Sequence, residues 1–302
     1  MYEVRVRPRQ VMSVFLVFCF LLYVVHKRSS SNCLSSTVEN LQNDEPTIYC
    51  ITPTYARPEQ KAELTRLSHL FMLASNLHWI IVEDSEVQTQ LVKNLLTQAN
   101  LNKRSVVLNI KTPDQFKLKG KDPNWKKPRG AEQRNLALEW IRQNADPNKR
   151  SMVFFMDDDN TYTVELFREI AKIEEGHVGV WPVGLVGGLM VEKPLLNENN
   201  QVIGFNAAWR PERPFPIDMA GFAISTDLLL KFSKAVFSYE VERGYQESEI
   251  LRQITARVDL QPLADLCTKV LVWHTRTEKT KLVYEEKLIK SHQERSDQGI
   301  EV

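Results

Sequence analysis

The residues best suited to chemistry are Asp157, Asp158 and Asp159, which follow directly on an unbroken apolar run, 151–156 (SMVFFM). Adjacent carboxylates repel one another, so positive charge is expected among them. A hard divalent cation is an economical answer, because Mg2+ and Mn2+ prefer oxygen ligands. Such an ion can bridge a diphosphate and neutralise it as it leaves. The placement points the same way, since buried parallel strands present ligands to their carboxyl ends. The same acids, followed by Asn160 and a helical pattern over 163–172, also suit a solvated turn or a helix N-cap. A short Asp-x-Asp pattern alone is common by chance.

Other candidates read in two ways each. Arg129 and Arg134 flank a helix start in KPRGAEQR. About one turn apart, they are placed to share a face and grip phosphate or carboxylate in two-pronged fashion, or simply to coat a solvated helix. Gly187 and Gly188 interrupt a strand-like segment, LVGGLMVE. They permit close approach of backbone to a ligand, or mark a bulge. Glu247 lies where a helix begins after Gly244, in RGYQESEIL. A catalytic base needs a carboxylate held near the acceptor hydroxyl, although acids at helix starts usually serve the helix dipole. His274 and Arg276 follow VLVW two residues apart. They share one strand face within reach of a diphosphate, although a lone His at a strand end more often has only local partners.

These groups need a scaffold, and the chain alternates strand and helix signals. Residues 47–54, 77–84, 104–111 and 151–156 read as strands, while helical patterns cover about 58–74 and 129–144. A fully apolar strand such as 151–156 is expected to be buried on both faces. This β-α-β-α-β order predicts an α/β fold with a doubly wound, mainly parallel sheet. The second half is more broken. Strand signals at 183–192, 216–225 and 270–277 predict mixed strands separated by loops.

The chain has 302 residues, 43% hydrophobic and 25% charged, with a net charge of +1. That is enough apolar material for a core, and it implies no polyelectrolyte partner. The basic residues are not striped along one face, which argues against nucleic-acid binding. Residues 11–25 (VMSVFLVFCFLLYVV) form an uncharged apolar run flanked by Arg5, Arg7 and Arg9 and by Lys27 and Arg28. A helix of that length rises about 22 Å, which suits a thin bilayer. The run lacks the small residues of a signal-peptidase site, so an uncleaved anchor is expected. Residues 1–10 then form a cytoplasmic tail, 26–46 a polar stem, and 47–302 a luminal body. Cysteines occur at Cys19 in the anchor, Cys33 in the stem, and Cys50 and Cys267 in apolar runs, where buried thiols are expected. Cys33 suits an intermolecular disulfide or a free thiol. No Asn-x-Ser/Thr sequon is present.

Several segments together resemble one family. ITPTYARPEQKAELTRL, LHWIIVEDSE, RGAEQRNLAL, FFMDDDNTY, RPFPIDMAGFAI, GYQES and VLVWHTRTEK, in that order, are similar to the β-1,3-glucuronosyltransferases. The resemblance runs from about residue 47 to the C-terminus and is strongest to the branch acting on the proteoglycan linkage region. It implies a GT-A-like fold, Mn2+ as cofactor, a type II Golgi membrane protein and a homodimer. The donor would be UDP-glucuronate and the acceptor a galactose-terminated glycan on protein, Gal-Gal-Xyl-Ser. The donor half would span about 47–160 and the acceptor half about 161–302. Tyr55 and Asp84 would hold the uracil end, while Arg129, Arg134, Asp157 and Asp158 would contact ribose or glucuronate. Asp159 would bind the metal, and His274 and Arg276 would reach the diphosphate. Gly187, Gly188, Glu192, Trp209, Arg213 and Asp218 would frame the acceptor galactose, with Glu247 as the base at its 3-hydroxyl. The family dimerises through its C-terminal region, but residues 280–285 here depart from that pattern. N-acetyllactosamine ends are the alternative acceptor, and a catalytically silent carbohydrate-binding protein is the alternative of another class.

Overall fold

A computed structural model describes residues 45–117, 127–278, 281–291 and 294–301. The expected tail and anchor, residues 26–44 of the stem, Cys19 and Cys33 lie outside the described residues. Among those described, no helix is long and apolar enough to cross a membrane. Residues Pro46–Val302 form one compact unit.

The first half builds the parallel part of a sheet. Strands β1 (Thr47–Thr54), β2 (Leu77–Glu83), β3 (Ser105–Asn109) and β4 (Ser151–Phe155) lie in the order β3-β2-β1-β4. All three pairings are parallel. Parallel neighbours need crossovers. Here these are α1 (Gln60–Leu73), α2 (Gln90–Gln98) and α3 (Ala131–Asn144). Alternation along each strand divides the core between two faces. Met152 and Phe154 of β4 pack with Leu64, Leu67 and Phe71 of α1, whereas Val153 and Phe155 pack with Ala137, Leu138 and Ile141 of α3. Helices therefore cover both faces, and every residue of β4 is buried, as its apolar run predicted.

Beyond β4 the direction changes. β6 (Val178–Val180), β10 (Phe222–Ser225) and β11 (Leu260–Pro262) complete a seven-stranded sheet among the described residues. β10 runs antiparallel to β4 and to β6. A second sheet has the order β5-β12-β7-β8-β9, with β5 at Thr161–Tyr162, β7 at Val183–Gly184, β8 at Val191–Leu196, β9 at Val202–Asn206 and β12 at Val272–Trp273. The mixed α/β architecture agrees with the sequence reading, but three expected strands shorten, and of segment 216–225 only Phe222–Ser225 is strand. Segment 183–192 is a hairpin rather than one interrupted strand. Gly187 (φ +62°) and Gly188 (φ +84°) occupy its turn in left-handed conformations that disfavour side chains. Segment 270–277 keeps only Val272–Trp273 as strand.

Cys50 and Cys267 are buried free thiols, as expected. Burial pushes the Cys267 thiol up to about 12. That leaves it protonated and unreactive at physiological pH.

Candidate active site

The carboxyl end of β4 delivers three acids into three different environments. Asp157 forms an ion pair with Arg134 of α3, Oδ1 to Nη2 at 2.6 Å. Arg134 is itself anchored, its Nη1 donating to the Arg129 carbonyl at 2.8 Å. Gly130 makes that fold-back feasible, because a Cβ there would stand 2.7 Å from Arg134 Nη1 and its φ is +72°. Asp158 points the other way. Arg57 meets its Oδ1 at 2.7 Å and the Thr54 hydroxyl donates to its Oδ2 at 2.7 Å. Both of its oxygens are therefore engaged, and the residue is 7% exposed.

Asp159 differs from both. Among the described residues no cation or donor stands at its carboxylate, and only its carbonyl is held, by the Thr275 hydroxyl at 2.5 Å. Burial and the charges of Asp157 and Asp158 raise its carboxyl above the usual range, with His274 opposing them. Three carboxylates against two guanidiniums leave one uncompensated negative charge, and it falls on Asp159. These residues fit a divalent cation: an oxygen donor, without a protein partner, in a cluster one positive charge short. Among the described residues no three His, Cys, Asp or Glu side chains gather into a cage, so most of the coordination would come from substrate and water. Oxygen-preferring ions such as Mg2+ commonly bind that way beside phosphates.

A second group faces the triad. It is carried by the turn before β10, the strand end after β12 and helix α6 (Gln246–Arg252); along the chain, α4 (Val164–Ile170) and α5 (Thr226–Lys231) come between the triad and α6. Asp218 caps the turn at Met219–Gly221, its Oδ1 accepting from Ala220 N at 2.9 Å. Its Oδ2 lies 3.0 Å from His274 Nδ1. The Asp218 contact raises the imidazole above its ordinary value against opposing burial. Burial alone would raise Asp218, but His274 outweighs it and holds the carboxyl low. The pair therefore favours a charged imidazolium, the form that suits a diphosphate. Arg276 is exposed and close enough to His274 to oppose its protonation.

Glu247 opens α6 with its side chain 16% exposed, and Arg213 Nη1 lies 3.7 Å from its Oε2. Burial pushes its carboxyl up to about 7, with the Arg213 charge opposing and the Asp218 charge adding. A carboxylate poised there accepts a proton near neutral pH, which is what a general base requires. Arg213 is buried and also donates to the carbonyls of Gly244 at 2.7 Å, Trp209 at 3.3 Å and Arg210 at 3.3 Å. One side chain thus ties the Trp209 loop to the turn that starts the Glu247 helix. Trp209 itself is 41% exposed, an aromatic surface of the kind that sugars stack on.

Glu192 of β8 accepts from Ala208 N at 3.3 Å, and burial raises its carboxyl. It packs against Gly187 so closely that a Cβ there would fall 1.9 Å from its Oε1. Gly187→Ala is expected to destabilise the fold by about 1–2 kcal/mol from the left-handed conformation alone, with Glu192 displaced in addition. A chemical-denaturation midpoint checks the first effect. A rise in acceptor KM without change in donor KM checks the second. Gly188 is exposed in the same turn, with no atom near its missing side chain.

The remaining sequence candidates sit just past the carboxyl ends of β1 and β2 and just before α3. Tyr55, 48% exposed, follows β1. Asp84 follows β2 and accepts from Thr112 N at 2.7 Å and from the Thr112 hydroxyl at 2.8 Å. The Arg129 side chain is exposed. Arg57, Thr54, Arg66 and Thr275 were not singled out in the sequence, yet all four hold the triad. Arg66 Nη2 donates to the carbonyls of Asp158 at 3.1 Å and Asn160 at 3.3 Å. The strand-end rule that found the triad also applies to Thr54 and Arg57, which close and follow β1.

The site is thus an acidic cluster at a strand end of an α/β sheet, and comparison with known proteins gives the family of the chain. The model of glycosyltransferase family 43 matches residues 67–278, and the chain belongs to that family. It is 65% identical to galactosylgalactosylxylosylprotein 3-beta-glucuronosyltransferase I of Drosophila melanogaster over the full length of both chains. It is 48% identical to galactosylgalactosylxylosylprotein 3-beta-glucuronosyltransferase 3 of Homo sapiens, over 85% of this chain and 78% of that one. The family resemblance carried by the sequence motifs is borne out.

Proposed function

We propose that this chain transfers glucuronate from UDP-glucuronate to the 3-hydroxyl of the terminal galactose in the Gal-Gal-Xyl-Ser linkage region of proteoglycans. The observation that carries the chemistry is Glu247, a carboxyl near neutrality beside Arg213 in the group that faces the Asp triad. The acceptor follows from relatives named for that linkage, one of them 65% identical over the whole chain.

The residues divide the reaction between them. Glu247 takes the proton of the acceptor hydroxyl as that oxygen attacks the anomeric carbon. The donor bond is α and the product β, so one displacement suffices, and no second carboxylate is required as nucleophile. Tyr55 and Asp84 hold the base, Arg129, Arg134 and Asp157 orient ribose and glucuronate, and His274 and Arg276 meet the diphosphate. Glu192, Trp209, Arg213 and Asp218 form the galactose side, with Gly187 and Gly188 supplying the tight turn beside it. Mn2+, held by Asp159, would supply positive charge against which UDP departs.

The cellular setting belongs to the same proposal. The GT-A assignment is supported by the β3-β2-β1-β4 parallel order ending in the triad. A single-pass type II Golgi protein with a luminal body is supported by the apolar run at 11–25. A homodimer through the C-terminal region is supported by helix α7 (Val283–Lys290), which buries no residue and exposes Val283, Tyr284 and Ile289.

One assay tests the central statement. The full chain in detergent, with Mn2+ and a panel of UDP-sugars, is offered Gal-Gal-Xyl and N-acetyllactosamine acceptors. Transfer from UDP-glucuronate to Gal-Gal-Xyl is expected. No transfer to either acceptor overturns the proposal, and preference for N-acetyllactosamine overturns its acceptor half.

A further inference from the structure

Arg57 lies in the loop between β1 and α1, two residues after Tyr55. Its guanidinium carbon stands 4.7 Å from the Tyr55 ring centroid. Its Nη1 donates to the Tyr55 carbonyl at 3.3 Å, and its Nη2 pairs with Asp158 Oδ1 at 2.7 Å. The side chains of Arg57 and Asp158 are 12% and 10% exposed, whereas Tyr55 is 48% exposed. One cation thus lays its face on an exposed aromatic ring and its edge on the middle acid of the triad. A planar guanidinium does both at once, while an ammonium keeps only the charge.

We propose that Arg57 is a positioning residue for the donor. It holds the Tyr55 ring as a platform for a flat, uncharged heteroaromatic base and ties that platform to Asp158. The spacing between the base end and the diphosphate end of a nucleoside diphosphate is then set by one side chain. Asp158, with both oxygens engaged, acts as the strut that receives Arg57. The inference rests on the nucleotide-sugar reading above and adds to it a residue inside the first shared motif to which the family resemblance assigned no role.

Calorimetry on the full chain in detergent tests it, with uridine, with UDP, and with UDP plus Mn2+ as probes. Arg57→Lys keeps a positive charge beside Asp158 and is expected to fold, which a thermal melt checks; Arg57→Gln removes both the charge and the cation–π contact. Arg57→Lys is expected to weaken uridine about three- to tenfold, the scale of a lost cation–π stack. UDP should weaken by the same factor with or without Mn2+, and kcat at saturating donor should be unchanged, the pattern of lost uniform binding. In a Tyr55→Leu background the Arg57→Lys change should cost nothing further, because the two residues act as a unit. Unchanged uridine affinity in Arg57→Lys, or losses that simply add in the double variant, overturns this inference alone. A wild-type chain that binds no UDP overturns the nucleotide reading and this inference together.

Discussion

Glu247→Gln is expected to lower turnover by about 10²–10⁴-fold, the usual range for a general acid–base group, while binding UDP-glucuronate as the wild type does. The argument rests on position and on proton affinity. The carboxyl is largely buried, its nearest cation is Arg213 at 3.7 Å, and its pKa is pushed from 4.5 to about 7. In the wild type, kcat/KM should therefore rise with pH through about 7 as the base ionises, and this limb should vanish in the variant. The groups facing Glu247 are Arg213, Asp218 and Arg134, and none is altered. Stability separates this from a folding defect. A carboxyl whose folded pKa lies above its unfolded value binds more protons in the native state, so stability falls as pH rises between the two values. Gln removes that penalty. The variant should be at least as stable as wild type at pH 8, in a thermal melt, while almost inactive. Near-normal turnover in Glu247→Gln removes the residue from the role of base.

The second large effect is expected at Asp159. Loss of a residue that only supports a metal ligand typically costs 10–100-fold in metal affinity, so Asp159→Ala should cost more than about tenfold. Titration of UDP with and without Mn2+ reads this directly. Wild type should bind UDP more tightly with the ion, and the variant should show no difference. Asp157→Asn provides the contrast. It leaves Arg134 without the negative charge that it pairs with at 2.6 Å, so donor affinity should drop while the gain from Mn2+ persists. If Asp159→Ala retains the full Mn2+ effect, the division of labour within the triad is wrong.

That division marks how far sequence reasoning reached. Apolar runs located β1 to β4, because each carries its signal locally, whether wholly buried like β4 or half-buried at the sheet edge like β3. The acids at the end of β4 were legible for the same reason. The contacts that separate them were not. Arg57 and Thr54 reach Asp158 across about a hundred residues of chain, and Thr275 reaches Asp159 across 116. Such contacts exist only after the sheet has brought distant strand ends together. Glu247 likewise looked like an ordinary helix-start acid, and its raised proton affinity arises from tertiary burial. The second half was least legible because its strands are short. Two-residue strands such as Val183–Gly184 and Val272–Trp273 carry no periodicity of their own. The Gly187-Gly188 pair was legible as a break in a strand, read as a close approach to a ligand or a bulge, but not as the corner of a hairpin.

The reversal of chain direction beside β4 has a practical side. On the parallel side of the sheet, the site collects the residues just past the carboxyl ends of the strands. On the antiparallel side, it collects those just before β10, including Asp218. The opposite rim, where the exposed turn at 146–150 feeds β4, lies a whole strand away, about 20 Å at 3.3 Å per residue. A dye or affinity handle placed at Asn148 would report on the molecule through binding and turnover without entering either substrate's path. That turn is the natural point of attachment for tethering the protein to a surface with its mouth facing outward.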